Sequence, residues 1–136
     1  MLLSGDLLLM DTMRIETTLR HRDEVPVLDV VGEIDIYTTP QFKEAVSAAI
    51  NENKPAIIIN MTQVTYMDSS GFGTLLSATK RLRPLEGALY LSGCNEAIQR
   101  MLQITSLNTI FGVYETEDEA LSAAHSEMSA APAAAV

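Results

Sequence analysis

The feature that most constrains the fold is a short, uninterrupted apolar stretch near the middle of the chain. Residues 56–60 read AIIIN, and β-branched side chains dominate the run. Continuous runs of this kind are typical of a strand that is buried on both faces, because a strand with one solvated face alternates apolar and polar residues. A doubly buried strand needs cover on both sides, which indicates a sheet packed between helices.

Helical periodicity on either side of this strand agrees with that expectation. Between Phe42 and Ile50, apolar residues recur at spacings of three and four, Thr38 or Thr39 can cap the helix, and Pro40 suits its first turn. A second helix is predicted from about residue 70 to residue 82. Its inner side is expected to carry Phe72, Leu75, Leu76, Thr79 and Leu82.

The remaining elements follow from alternation, breakers and caps. A first strand is predicted from Met13, and VPVLDVVGEID forms a second with its end near Gly32. Further strands are ALYLSG and NTIFGVY. Asn95 caps a third helix with Met101 inward, and Thr116 and Glu119 form a capping box for the last.

The predicted order is β-β-α-β-α-β-α-β-α, which indicates an α/β fold. Its sheet is mixed and mainly parallel, with an antiparallel N-terminal strand and about four flanking helices. We expect residues 13–128 to form one domain, with an extension at residues 1–12 and a flexible alanine-rich tail at residues 129–136.

Composition narrows the classes of partner. The chain has 136 residues and a formal net charge of −9, which disfavours nucleic acid and anionic membranes and favours a basic protein surface. The single cysteine, Cys94, excludes an internal disulfide and a cysteine-based metal site, and it fits a reducing, cytoplasmic location. No metal ion or cofactor is predicted, and a structural role is expected for Cys94.

The segment MDSSGFG, residues 67–73, falls where the buried strand meets the second helix. A dinucleotide-binding loop would need a third glycine where Leu76 stands, and no Walker lysine follows. A hydrolase elbow would need an earlier glycine and a partnered histidine. A phosphate-accepting Asp68 would need an acidic pair after the first strand and a late lysine; the first strand ends in TTLRHRDE, and the last predicted strand, NTIFGVY, has no lysine. These patterns argue against catalysis.

A simple helix cap explains only part of the segment. Asp68 or Ser69 could serve as the cap, but a cap does not account for the second serine, or for Gly73 and Thr74, which are expected to be exposed on the first turn. A switch explains more. Phosphorylation adds about −1.5 to −2 charge, which a helix N-terminus tolerates and a partner packed on the site does not. From the residues alone, either serine could accept the phosphate.

Three segments together resemble one family. YMDSSGFGTLL, preceded by AIIINMTQVT and by VVGEIDIYTTPQFKEAV, is similar to the anti-sigma factor antagonists, the STAS-domain proteins. The resemblance implies a protein without catalytic activity. Its unphosphorylated form binds an anti-sigma factor, itself a serine kinase of the histidine-kinase-like ATPase type, and thereby frees the sigma factor. The kinase phosphorylates the serine after the motif aspartate, here Ser69, and a PP2C-type phosphatase restores it.

The same resemblance assigns the partner surface residue by residue. Asp68 and Ser70 flank the phosphorylation site, two glycines of the segment match those of the family, and the GEID segment corresponds to a strand end beside the partner surface. The predicted partner-binding residues are Gly32, Glu33, Asp35, Asp68, Ser69, Ser70, Gly71, Gly73 and Thr74.

Two alternatives remain open. The first is a STAS adaptor of another assembly, such as a stressosome-like or lipid-transport ATPase complex, without a switch at Ser69. A neighbouring kinase or PP2C gene would distinguish it from the antagonist. The second is a nucleotide-binding or hydrolysing domain, which rests only on the glycine-containing helix start. The missing Walker lysine argues against it, and calorimetry with ATP and GTP would test it.

Overall fold

The computed structural model describes the backbone of residues 15–135 and the side chains of residues 15–127. The strands are β1 (Ile15–Arg22), β2 (Val25–Ile34), β3 (Ala56–Met67), β4 (Ala88–Ser92) and β5 (Gly112–Tyr114). The helices are α1 (Thr39–Ile50), α2 (Ser69–Leu82), α3 (Glu96–Ile104) and α4 (Glu117–Ala135), with short 3₁₀ turns at Arg83–Leu85 and Leu107–Thr109.

The five strands form one sheet in the order β1-β2-β3-β4-β5. β1 is antiparallel to β2, and the other neighbouring pairs are parallel. Asp23 and Glu24 form the hairpin between β1 and β2, and both have a positive φ, 51° and 70°, as tight two-residue hairpin turns require. The predicted α/β class, with its antiparallel first strand and four helices, is confirmed.

Strand β3 is buried on both faces, as its composition predicts. Ile57 and Ile59 point into the large core that the sheet forms with α1, α2 and α3. Ile58 points the other way, into a smaller core beneath α4 that includes Leu121. The sheet is therefore covered by three helices on one face and by α4 on the other.

Several predicted boundaries are wrong. β2 continues past Gly32 to Ile34, because its pairing with β3 is kept across two register shifts, at each of which β3 carries one extra residue. The extra residues lie in the MTQVTYM segment of β3, one between Asn60 and Gln63 and one between Val64 and Tyr66. β5 is shorter than NTIFGVY, since residues 107–109 form a 3₁₀ turn. Met101 is exposed, because only Ile98 and Leu102 of α3 reach the core.

The described part of the chain begins at Ile15 and ends at Ala135. The predicted extension at residues 1–12 and the strand start at Met13 lie outside the described residues. The predicted capping box is present: Glu119 N donates to Thr116 Oγ1 at 3.1 Å, and Thr116 N donates to Glu119 Oε1 at 3.1 Å. The α4 backbone continues to Ala135, through residues predicted as a flexible tail. Within residues 15–135, no helix is long and apolar enough to cross a membrane.

An ion-pair cluster ties the start of α4 to the first hairpin. Arg20 Nε lies 2.6 Å from Asp29 Oδ2, and Arg20 also pairs with Glu117. Arg22 Nη1 lies 2.9 Å from Glu117 Oε2. Hydrogen bonds from Arg20 lower the pKa of the Asp29 carboxyl and of the Glu117 carboxyl below their ordinary values. The carboxylates are partly buried, so their pairing contributes to folding.

We expect this cluster to make stability fall in acid. Carboxyls in the unfolded chain titrate near pH 4, and those of Asp29 and Glu117 titrate lower in the folded protein. Their contribution is therefore complete above about pH 5 and is lost as the pH falls through the folded values. Urea unfolding at pH 7 and at pH 3 should show a loss about 1–2 kcal/mol larger for wild type than for Arg20→Gln. Equal losses would contradict the assignment.

Candidate docking site at the start of α2

Asp68 caps α2 and carries a fixed negative charge. Its backbone is extended, with φ −100° and ψ −173°, and its Oδ1 accepts from Ser70 N at 2.9 Å and lies 2.5 Å from Ser70 Oγ. The side-chain hydrogen bond from Ser70 is the main reason why the pKa of Asp68 is lowered. Burial raises that pKa by less than this bond lowers it, and the backbone N–H groups of Ser70, Gly71 and Ile36 lower it further. The carboxylate is therefore ionised at neutral pH.

A row of oxygen atoms links the two sequence motifs. Ser70 Oγ lies 2.6 Å from Thr39 Oγ1, which lies 2.5 Å from the carbonyl oxygen of Asp35. Together with the contact from Ser70 to Asp68, the row contains three short oxygen–oxygen contacts. The hydroxyl groups of Ser70 and Thr39 supply two protons for them. Asp68 N also donates to the carbonyl of Ile34 at 3.0 Å. The GEID and MDSSGFG segments therefore meet where β2 and β3 end and α1 and α2 begin.

The two serines differ sharply in their surroundings. Ser70 is half-buried, and its hydroxyl belongs to this row of contacts. Ser69 is exposed, and within the part of the chain that the structure describes its hydroxyl makes no hydrogen bond. Of these two hydroxyls, that of Ser69 is the one that a second protein could contact without breaking a hydrogen bond among the described residues.

The two glycines of the first turn of α2 have different roles. A Cβ on Gly71 would lie 2.4 Å from Met67 Cγ and 2.8 Å from Ile34 Cγ2, so its absence lets α2 pack against the strand ends. A Cβ on Gly73 would have no atom within 4 Å, and Gly73 is exposed. Thr74, predicted to be exposed, is buried with 4% of its surface accessible, because it lies on the side of α2 that faces α1; its hydroxyl donates to the Ser70 carbonyl at 3.0 Å.

Asp35 shapes the turn that leads into α1. Its Oδ1 accepts from Tyr37 N at 2.9 Å and from Thr38 N at 3.0 Å. Thr38 occupies the capping position, but its side chain makes no capping bond and instead donates to the Glu33 carbonyl at 2.8 Å. The predicted threonine cap is therefore wrong: Thr38 and Thr39 fasten the turn to the strand end and to α2.

The other two residues of the GEID segment lie on the strand itself. Gly32 has a φ of +118° and lies opposite a bulge of β3, where it pairs with Ile15 on one side and Val64 on the other. Glu33 is exposed and pairs in register with Tyr66 of β3. Gly32 supplies a backbone conformation with positive φ, and Glu33 places a negative charge near the carboxyl end of β2, next to the motif.

A protein-family model for the STAS domain matches residues 16–120, which is most of the chain. The chain belongs to the STAS domain family. The anti-sigma-B factor antagonist of Listeria monocytogenes is 36% identical over 105 residues, which cover 77% of this chain and 91% of that protein. The resemblance inferred from the motifs is confirmed.

Solved structures agree with this assignment. An anti-sigma factor antagonist from Mycobacterium paratuberculosis is 31% identical with a TM-score of 0.76, covering 82% of this chain and 94% of that one. The Bacillus cell fate determinant SpoIIAA in its phosphorylated form is 27% identical with a TM-score of 0.62, covering 79% of this chain and 97% of that one. The first is similar over nearly its whole length, so the likeness is not confined to the motif.

Three large apolar side chains of this STAS domain are exposed near the motif and were missed by the sequence analysis. Ile36 is 68% exposed and Tyr37 77%, both in the turn before α1, and Tyr66 is 51% exposed two residues before Asp68. We refer to Ile36, Tyr37 and Tyr66 as the apolar rim. In the sequence, the exposed position of Ile36 and Tyr37 was indicated only by their being an apolar pair in a turn, outside any helical or strand periodicity. Exposed apolar groups beside polar ones mark interaction sites more often than isolated ones do.

The STAS domain offers little for metal or thiol chemistry. Among residues 15–135, no group of three His, Cys, Asp or Glu side chains is placed to hold a metal ion. Cys94 is buried, and burial raises the pKa of its thiol to about 12. The thiol stays protonated and packs in the large core.

Proposed function

We propose that this STAS domain is an anti-sigma factor antagonist switched by phosphorylation of Ser69. The unphosphorylated form binds an anti-sigma factor that is also a serine kinase of the histidine-kinase-like ATPase type, in the cytoplasm, and the sigma factor is released. A PP2C-type phosphatase reverses the modification. The observation that carries the proposal is the difference between the serines: Ser69 is exposed with an unengaged hydroxyl among the described residues, whereas Ser70 is tied to Asp68.

Electrostatics explain how one phosphate could switch binding without unfolding the domain. Ser69 is the first residue of α2, so a phosphate there is stabilised by the partial positive charge of the helix N-terminus. It also lies next to the ionised Asp68. A partner packed on this surface would have to desolvate a dianion beside a carboxylate, which is costly unless every charge is paired. The unmodified hydroxyl carries no such cost.

The surroundings of Ser69 support a protein partner rather than a small substrate. The apolar rim of Ile36, Tyr37 and Tyr66 supplies exposed aromatic and aliphatic area, the composition that is enriched at interface centres. Gly73 leaves the helix backbone bare, so that another chain can approach closely. The net charge of −9 favours a basic partner surface around this rim.

The direct experiment is to map the phosphate. We expect the purified anti-sigma factor kinase and ATP to label Ser69 in wild type and in Ser70→Ala, and to leave Ser69→Ala unlabelled by mass spectrometry. Ser122→Ala is the matched control, because Ser122 is an exposed serine of α4, on the opposite face of the sheet. Label that survives in Ser69→Ala would contradict the proposal. Binding without label on any serine would favour the adaptor alternative.

A further inference from the structure

A groove runs between α1 and α2, below the docking site. The helices lie side by side and point the same way, because each follows a parallel strand. Each lines the groove with residues at positions i, i+3, i+4 and i+7, beginning at Lys43 on α1 and at Thr74 on α2. The groove is open to solvent and has a volume of about 230 Å³. We refer to it as the α1–α2 groove.

The groove carries two cations in a strongly acidic protein. Arg81 Nη1 donates to Ser47 Oγ at 2.8 Å and Arg81 Nη2 to Asn51 Oδ1 at 3.3 Å, and both acceptors are neutral. Lys43 is exposed and makes no ion pair with any of the described residues. Neither positive charge is therefore neutralised by a carboxylate contact within the described part of the chain.

The two cations stand at opposite ends of an apolar floor. The contacts Thr39–Ser70 and Ser47–Arg81 set the register of the helices, so Lys43 lies at the upper end and Arg81 at the lower end. Two helical turns separate the ends, which is about 10 Å. Val46 and Ala78 are buried between them and form part of the floor.

The groove is continuous with the docking site. Its first α2 residue, Thr74, donates to the carbonyl of Ser70 and directly follows the bare backbone at Gly73. Thr74 follows Ser69 by five residues, which is about 7.5 Å along the helix, so a protein seated on Ser69 and the apolar rim reaches the upper end of the groove.

We propose that the α1–α2 groove is a second contact for the anti-sigma factor, and this rests on the function proposed above. It receives a segment of that partner in which two acidic side chains, about two helical turns apart, flank an apolar one. The acids meet Lys43 and Arg81, and the apolar side chain covers the floor at Val46. The contact lies below Ser69, so it sets which partner is chosen and how fast it arrives, while Ser69 sets whether it stays.

The test compares two double charge reversals with the same net charge. Lys43→Glu with Arg81→Glu changes the groove. Lys80→Glu with Arg100→Glu changes two exposed cations that do not line it. The probe is the purified anti-sigma factor kinase that labels Ser69. We expect the groove variant to associate about tenfold more slowly at low salt, with a flatter salt dependence, and the control to stay within about twofold of wild type. Lys43→Arg with Arg81→Lys should keep the wild-type rate.

The outcomes separate this proposal from the one it rests on. Equal association rates for the two double variants would overturn the groove contact, while loss of binding in Ser69→Asp would leave the proposed function standing. If citrate alone stabilised wild type and not the groove variant, and both variants bound the kinase equally, the groove would be a small-anion site instead, and the proposal would be wrong. If wild type did not bind the kinase at all, the proposed function would fail and the groove contact with it.

Discussion

Ser69→Asp is expected to weaken binding of the anti-sigma factor about a hundredfold, and full phosphorylation about a thousandfold. The aspartate adds one charge beside the ionised Asp68, and a phosphate adds nearly two. Burying this added charge under the partner costs several kcal/mol when no opposite charge pairs with it, and about 1.4 kcal/mol is a factor of ten in affinity. Ser69→Ala should bind within about threefold of wild type, because the hydroxyl makes no hydrogen bond among the described residues. Calorimetric titration of each variant with the kinase measures the difference.

The matched control is Ser122→Asp. Ser122 is an exposed serine of α4, on the opposite face of the sheet, and its replacement changes the net charge by the same amount. Its affinity should equal that of wild type. Equal weakening at Ser69 and Ser122 would mean that long-range repulsion, not a contact at the start of α2, controls binding.

Replacing each of the two glycines of α2 by alanine is expected to change stability in opposite directions. The Gly71→Ala methyl would collide with Met67 and with Ile34 Cγ2, a branch that is fixed on the rigid end of β2. Overpacking of this kind destabilises by about 1–3 kcal/mol. Gly73→Ala meets open space in an exposed helical position, so it should stabilise by about 0.5–1 kcal/mol. Urea unfolding at pH 7 checks both values.

The same pair tests the docking surface. Gly73→Ala adds a methyl group where the partner backbone is proposed to approach, so the variant should be more stable and yet bind the kinase more weakly than wild type. A Gly73→Ala protein that binds normally would show that the partner does not contact this part of the backbone. If Gly71→Ala loses the expected stability but the folded variant binds the kinase normally, Gly71 contributes to packing and not to the docking surface.

Much of the fold could be predicted because it depends on regular periodicities. The doubly apolar run at residues 56–60 required cover on both faces, and the sheet has it. The capping box at Thr116 is a local hydrogen-bond pattern, so four consecutive residues are enough to predict it. The strand ends were predicted less well, because Gly32 looks like a terminus in sequence but keeps its pairing with β3, and the ladder continues past it.

The candidate site was predictable in position but not in detail. The family resemblance chose Ser69, but physical reasoning from the residues could not choose between Ser69 and Ser70, since the difference lies in a contact from Ser70 to Thr39, 31 residues away. Thr74 was expected to be exposed because its neighbours suggested an open first turn, whereas its own hydroxyl bonds back to the Ser70 carbonyl. The apolar rim was missed because it joins residues of two different strand ends.

The contact between Thr39 and Ser70 affects how quickly the docking site can respond to phosphorylation. It joins the starts of α1 and α2, and the amide of Asp68 is bonded to the end of β2, so the first turn of α2 is held from two sides. A phosphate on Ser69 should change the charge of this surface without waiting for a helix to move. We therefore expect the response to follow the chemistry of the kinase directly, with no slow conformational phase between modification and release. Stopped-flow dissociation after labelling should then show a single exponential.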